Sequence, residues 1–275
     1  MATKKKDEST ELVAEVQSFA VADIDESQYA ANFAFEANEK AMSFLKQAQA
    51  MSPELDKTNT AYVKGLEMGG LFVTGADKVY NEGCYIVPCY MKHEHIFWKK
   101  DNGGFDGKAP WIQEVQDQLL RDGSKNFLPD GRQVEDALTY YLLVIDPENP
   151  NQLPTPAILK CASTKVTIAK KLNTLLNTAQ FENKLPNGTL PAIYRFLISI
   201  TSVSQTNAQQ QKFYNINFAR AKEHAYLNQK GLIAVPAILD LAKNLADLAS
   251  ADGVNVDYNA DKDVQNTQSA DAGIC

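Results

Sequence analysis

Apolar positions change period along the chain, and the changes mark its elements. Over 28–50, Phe33, Ala37, Ala41, Phe44 and Leu45 recur at helical spacing, which predicts a helix that Ser52-Pro53 ends. Residues 1–26 read as a mobile polar arm with one short amphipathic piece, Leu12, Val13, Val16 and Phe19. From about 60 to 225 the pattern becomes short aliphatic and aromatic runs bounded by Gly, Pro and Asn, which predicts strands and turns. Strands are expected at 71–73, at 85–100 with a bend at Pro88, and at 138–145, 157–162, 194–202 and 212–218. The 138–145 run is apolar on both faces and so belongs in the middle of a sheet. Asn102-Gly103-Gly104, Pro129-Asp130-Gly131-Arg132 and the polar stretch 205–211 are turns, and a short helix fits 111–120. Ser163 or Thr164 caps a helix running to about 177, whose apolar stripe is Ile168, Leu172, Leu175 and Leu176. A last helix covers 232–249, broken near its start by Pro236. Beyond it the chain is rich in Asp and nearly free of large apolar residues, a composition that does not fold.

Short strands with one helix inserted among them point to an α+β protein. The expected architecture is an OB-like β-barrel core with an inserted helix, flanked by N- and C-terminal helices. A β-sandwich fits the strand count nearly as well. The corresponding organisation is an N-terminal arm and helix over 1–58, an OB-like core over 59–231, a C-terminal helix over 232–249 and an acidic disordered tail over 250–275.

Composition is that of a soluble globular protein, 44% hydrophobic and 22% charged over 275 residues. The longest apolar run, 140–145, falls far short of the roughly 20 residues of a membrane-spanning helix. The basic start, Lys4-Lys5-Lys6, runs into acids without an apolar stretch, unlike a signal peptide. Cys84, Cys89, Cys161 and Cys275 do not make a disulfide scaffold, so a reducing compartment is expected. Charge changes the picture more. A net −7 argues against a nucleic-acid partner, yet 160–222 sets Lys160, Lys165, Lys170, Lys171, Lys184, Arg195, Lys212, Arg220 and Lys222 against Glu182 alone. A local field of that sign attracts a polyanion whatever the total charge, unless it is merely a solvated face.

Catalytic chemistry finds little support. The chain carries no nucleophile elbow, phosphate-binding glycine loop or paired-histidine zinc motif. Asp101, Asp106, Glu114 and Asp117 leave a metal-dependent nuclease as the weakest reading. Cys84, Cys89, His93 and His95 carry zinc-ligand chemistry. On a straight strand Cys89, His93 and His95 share a face and Cys84 takes the other, too long a span to close on one ion, so no metal or cofactor is expected. The 85–100 segment is more informative. Tyr85, Tyr90, Phe97 and Trp98 interleave with Lys92, His93, His95, Lys99 and Lys100, the mixture by which rings stack on unpaired bases and cations follow phosphates. Strand alternation assigns about half of those rings to the core. The basic run adds Lys165, Lys170, Lys171, Arg195, Lys212, Tyr214 and Arg220 as DNA contacts.

Two stretches carry a resemblance: V-P-C-Y-M-K-H-E-H-I-F-W with Gly103-Gly104 after it, and P-A-I-L-K-C-A-S-T-K-V-T-I-A-K-K-L-N-T-L-L-N over 156–177. Over about 60–225 the chain resembles bacteriophage single-stranded-DNA-binding proteins with an OB-like core, found among replication and recombination genes. That resemblance implies a non-enzymatic protein coating single-stranded DNA in the cytoplasm of an infected host, and it allows a homo-oligomer. It also implies that an acidic tail engages phage or host replication proteins. The alternative is a structural or transcription-related phage protein whose basic face binds another macromolecule.

Overall fold

A strand that is apolar on both faces needs cover on both sides, and that requirement organises the molecule. The structure, a computed structural model, describes residues 41–261 except 77, 101–102, 124, 150–151, 207–209 and 211. The first elements are β1 (Leu45–Gln47), β2 (Leu71–Val73), β3 (Val79–Tyr80), β4 (Cys84–Trp98), β5 (Phe105–Pro110) and α1 (Gln113–Gln116). β6 (Leu120–Asp122), β7 (Lys125–Phe127), β8 (Gln133–Ile145), β9 (Thr155–Ala162) and α2 (Val166–Glu182) follow. β10 (Ile198–Thr206), β11 (Lys212–Arg220), α3 (Pro236–Ser250) and α4 (Tyr258–Asp261) complete the order. The fold is thus mixed α+β, with mostly antiparallel sheets and few helices.

β4 and β8 pair antiparallel from Tyr85 opposite Ile145 to Trp98 opposite Gln133. Each changes its second neighbour midway. β10 pairs with 84–86 of β4 and β5 with 94–98, while β9 holds 137–144 of β8 and β7 only 133–134. The main sheet runs β11-β10-β4-β8-β7-β6, with β5 on β4 and β9 on β8; β1, β2 and β3 form a second sheet. Leu138, Tyr140, Leu142 and Val144 of β8 enter one core with Ile168, Leu172 and Leu176 of α2 and Leu45 and Leu71 of the small sheet. Ala137, Tyr141, Leu143 and Ile145 enter another with Ile238, Ala242 and Leu245 of α3. Of the apolar stripe expected of the inserted helix, Ile168, Leu172 and Leu176 are on the face α2 buries and Leu175 is half-buried at its edge; Pro236 opens α3 rather than breaking it, since its fixed φ suits the first helical position.

The bend expected at Pro88 is a bulge: the β4–β8 register shifts between Pro88 and Tyr90. Pro88 sits where β10 has ended and β5 has not begun, so its missing N–H breaks no ladder there. The extra residue puts Cys89 and Tyr90 into the same α3-side core and reverses the parity beyond.

The ladders among the described residues do not close into a barrel. Among the described residues no ladder joins β9 to β11; β1 spans the gap by other means. Phe44 makes a single parallel bridge to Ile158 of β9. On the other side Gln49 stands in for a strand: its Nε2 donates to the Tyr214 carbonyl at 2.9 Å, and the Tyr214 N–H donates to its Oε1 at 3.0 Å. Gln47 Nε2 donates to Ser202 Oγ at 2.7 Å and to the Asn215 carbonyl at 3.2 Å.

Two further expectations are corrected. Of the helix over 28–50, residues 28–40 lie outside the described residues, and 41–50 contain β1, because Phe44 and Leu45 point into the two different cores. The strand expected from 194 begins only at Ile198, after a 3-10 turn over Ile193–Arg195. The N-terminal arm, part of the 205–211 turn and residues 262–275 lie outside the described residues. No described helix is long and apolar enough to cross a membrane.

The stretch after α3 corrects the composition argument. Through Asp261 it docks on the sheet instead of trailing as a tail. Val254, Val256 and Tyr258 alternate inward, and the Met42 N–H donates to the Asn255 carbonyl at 2.9 Å. Tyr258 is buried beside Phe105, ring centroids 4.8 Å apart, and its Oη donates to Glu94 Oε2 at 3.3 Å. Tyr258→Ala is therefore expected to cost about 3–5 kcal/mol, as for other buried aromatics, read by urea unfolding. A loss below about 0.5 kcal/mol, the range of inert surface changes, would show that this segment is not docked.

Candidate nucleic-acid interface

The bulge decides what the 85–100 strand can offer a ligand. Tyr90, Lys92, Glu94, Ile96 and Trp98 face the α3 side, and Met91, His93, His95 and Phe97 the other. Trp98 is only 3% exposed and belongs to the core, so its ring has no face for a base. Tyr90 packs half-buried against the same core. Lys92 pairs with Asp252 and lies over the Tyr141 ring at 5.6 Å; its hydrogen bond holds the Asp252 carboxyl below the usual range. Beside it Lys108 pairs with buried Glu94 at 3.0 Å, and Lys160 pairs with Glu135 at 3.2 Å. On the opposite face His93 Nε2 meets Asp136 Oδ1 at 2.6 Å and its ring stacks on Trp111. His95 is wholly buried, with Nε2 3.2 Å from the Ile112 N–H. Phe97 lies under the Arg132 guanidinium, 5.2 Å away. Only Lys99 and Lys100 are fully exposed, at the strand's end.

The same parity undoes the zinc geometry. Cys84 lies in one core and Cys89 in the other, and Cys89 no longer shares a face with His93 and His95. No group of three or more metal-ligating side chains converges among the described residues. Burial pushes the Cys84, Cys89 and Cys161 thiols up to about 12, which leaves them unreactive. Cys275 and Asp101 lie outside the described residues.

The basic run separates into spent and available charge. Lys160 is paired as above. Arg195 is half-buried in the 3-10 turn rather than presented by a strand. Tyr214 is half-buried and packs its ring against Gly69, whose φ of +89° and lack of a Cβ make room for it. Lys212 is exposed at the far end of β11, and Lys165 is half-buried ahead of α2. Lys170 and Lys171 are exposed on α2.

Between α2 and the end of β11 runs an open groove of about 420 Å³. α2 lines it with Leu175, Thr178, Ala179 and Glu182, and Lys171 begins the same helical row one turn earlier. Arg220, Lys222 and Lys230 face that row. Arg220 is held in place by Glu182 at 3.0 Å, by the Lys230 carbonyl at 3.4 Å and by the buried Phe196 ring beneath it at 5.3 Å. Lys230 sits in a tight turn in which Asn228 Oδ1 accepts the N–H groups of Lys230 and Leu232. Among the described residues no ion pair engages Lys171, Lys222 or Lys230. The groove therefore presents more positive charge than its one carboxylate balances. Sequence reasoning counted Lys222 in the basic run but did not single it out, and missed Lys230, which lies past that run.

The predicted contacts thus fall into separate places. Arg220 lies in register with Ile198 and Ile86, whereas Lys99 is 13 residues further along β4. At about 3.3 Å per residue that is a separation on the order of 40 Å. Of the predicted contacts the structure places Arg220 in the groove and Lys171 one turn before its α2 lining, and leaves His93, Phe97, Lys99 and Lys100 at the far end.

The model of one protein family, described as Pam3 phage gp34-like protein, matches residues 14–249. No curated protein and no solved structure matches the chain.

Trp98→Ala separates core from contact. Its expected outcome is a stability loss of about 3–5 kcal/mol in denaturant unfolding, with unchanged affinity of the folded fraction for oligo-dT. A selective affinity loss at full stability would return Trp98 to the surface.

Proposed function

This chain belongs to the Pam3 phage gp34-like protein family, and on that premise we propose that it binds single-stranded DNA as a non-catalytic protein of phage replication or recombination. The phosphates lie along the groove between α2 and the end of β11. One observation carries this reading: Lys222 and Lys230 line a groove in which the one carboxylate among the described lining residues, Glu182, is engaged by Arg220, and Lys171 stands one turn before that lining on α2. A chain of net −7 that concentrates unpaired cations in one groove favours a polyanion there and repels it elsewhere. The exposed lysines at 99–100 are too distant to share the same short stretch of strand.

Fluorescence anisotropy with labelled oligo-dT tests this. Affinity should fall with salt at about −0.7 in log–log slope per neutralised phosphate, hence about −2 for three contacts. Reversing both Lys222 and Lys230 to Glu should weaken binding and flatten the slope by about 1.4. No binding at low salt, variants indistinguishable from the parent, or magnesium-dependent cleavage of the oligonucleotide would each overturn the proposal.

A further inference from the structure

α2 ends with an aromatic ring in water. Phe181 is 59% exposed and is the one aromatic among the well-exposed large apolar side chains of the described residues. It is not itself a lining residue, but it stands one turn from Thr178, which lines the groove, and so borders the groove on its outward, Thr178 side. The backbone under it is fixed. Gln180 Nε2 donates to the Pro191 carbonyl at 2.7 Å, and Asn183 Nδ2 donates to the Ala179 carbonyl at 2.9 Å, which pins the last turn of α2 to the following chain. Leu185, also exposed, extends the apolar surface, and Lys184 stands between them.

We propose that Phe181 is a base-stacking platform that makes the groove selective for unpaired nucleotides. The inference rests on the groove binding phosphate. Charge complementarity fixes the occupant. A bare apolar surface would suit a protein partner, but one beside a groove lined by Arg220, Lys222 and Lys230, with Lys184 three residues after Phe181, suits a ligand with an anionic backbone and flat apolar groups. Single-stranded nucleic acid is that ligand, because its bases are free to present a π-face. A duplex keeps those faces stacked inside and gains only the phosphate contacts. The ring's exposure is then functional: a pre-positioned Phe has two side-chain torsions to lose on binding, so little ordering entropy opposes the stack.

The test compares Phe181→Ala, Phe181→Trp and the parent on oligo-dT and on a duplex of equal charge, with thermal unfolding alongside. Phe181→Ala should weaken oligo-dT binding about 5- to 150-fold, the range expected for one stacked base, with duplex affinity, salt slope and melting temperature unchanged. Phe181→Trp should restore binding. If Phe181→Ala binds oligo-dT as the parent does while the Lys222 and Lys230 reversal does not, stacking is wrong and the groove reading stands. Equal loss on oligo-dT and duplex, or a lowered melting temperature, also overturns the platform. A parent that binds no oligo-dT overturns both readings.

Discussion

The β4–β8 ladder is the constraint on which the rest of this structure depends. β8 from 137 to 145 is dry on both faces, and β4 accompanies it over nearly its whole length. Each face then needs its own cover, which α2 with the small sheet provides on one side and α3 with the segment after it on the other. The bulge at Pro88 works inside this frame. It admits a residue with no N–H into a long strand and, by adding one position, sends Trp98 inward and leaves Phe97 beneath Arg132.

A sheet covered on both faces leaves few charges free near its centre. Where alternation carries charged side chains inward they are paired: Glu94 with Lys108 and the Tyr258 hydroxyl, Lys160 with Glu135, Lys92 with Asp252. Removing one partner of such a pair costs more than the pair contributes, because the other charge stays behind in a dry site. The cations left without an ion pair in the groove lie instead on the outer flank of α2 and opposite it. There the helix turns its apolar stripe inward and its lysines outward, and the end of β11 supplies the opposing cations.

The central strand, the short β2, the turns around Gly103-Gly104 and 129–132, and the apolar stripe of α2 were legible because each expresses one local rule. What was not legible depends on distant partners. A bulge leaves no mark in periodicity beyond a proline, yet it inverts every later side chain of β4, so alternation could not tell which of Tyr90, Phe97 and Trp98 is core. Phe44 and Leu45 fit a helical stripe as well as a strand; only the two cores they enter decide between them. Gln47 and Gln49 look like solvent-facing residues until their amides meet the edge of β11. Val254, Val256 and Tyr258 do alternate, but the surrounding aspartates mask the signal. The groove went unseen because Lys230 comes from a turn outside the basic run, and Phe181 because the helix was expected to end at 177.

Ultraviolet crosslinking of oligo-dT to the intact protein, with peptide mass mapping, tests the central claim most directly, since it reports where an unpaired base lies without altering the chain. The account predicts crosslinks in the peptides spanning 171–185 and 220–231. Crosslinks confined to 85–100, or to Lys212 and Tyr214 at the far end of β11, would contradict it.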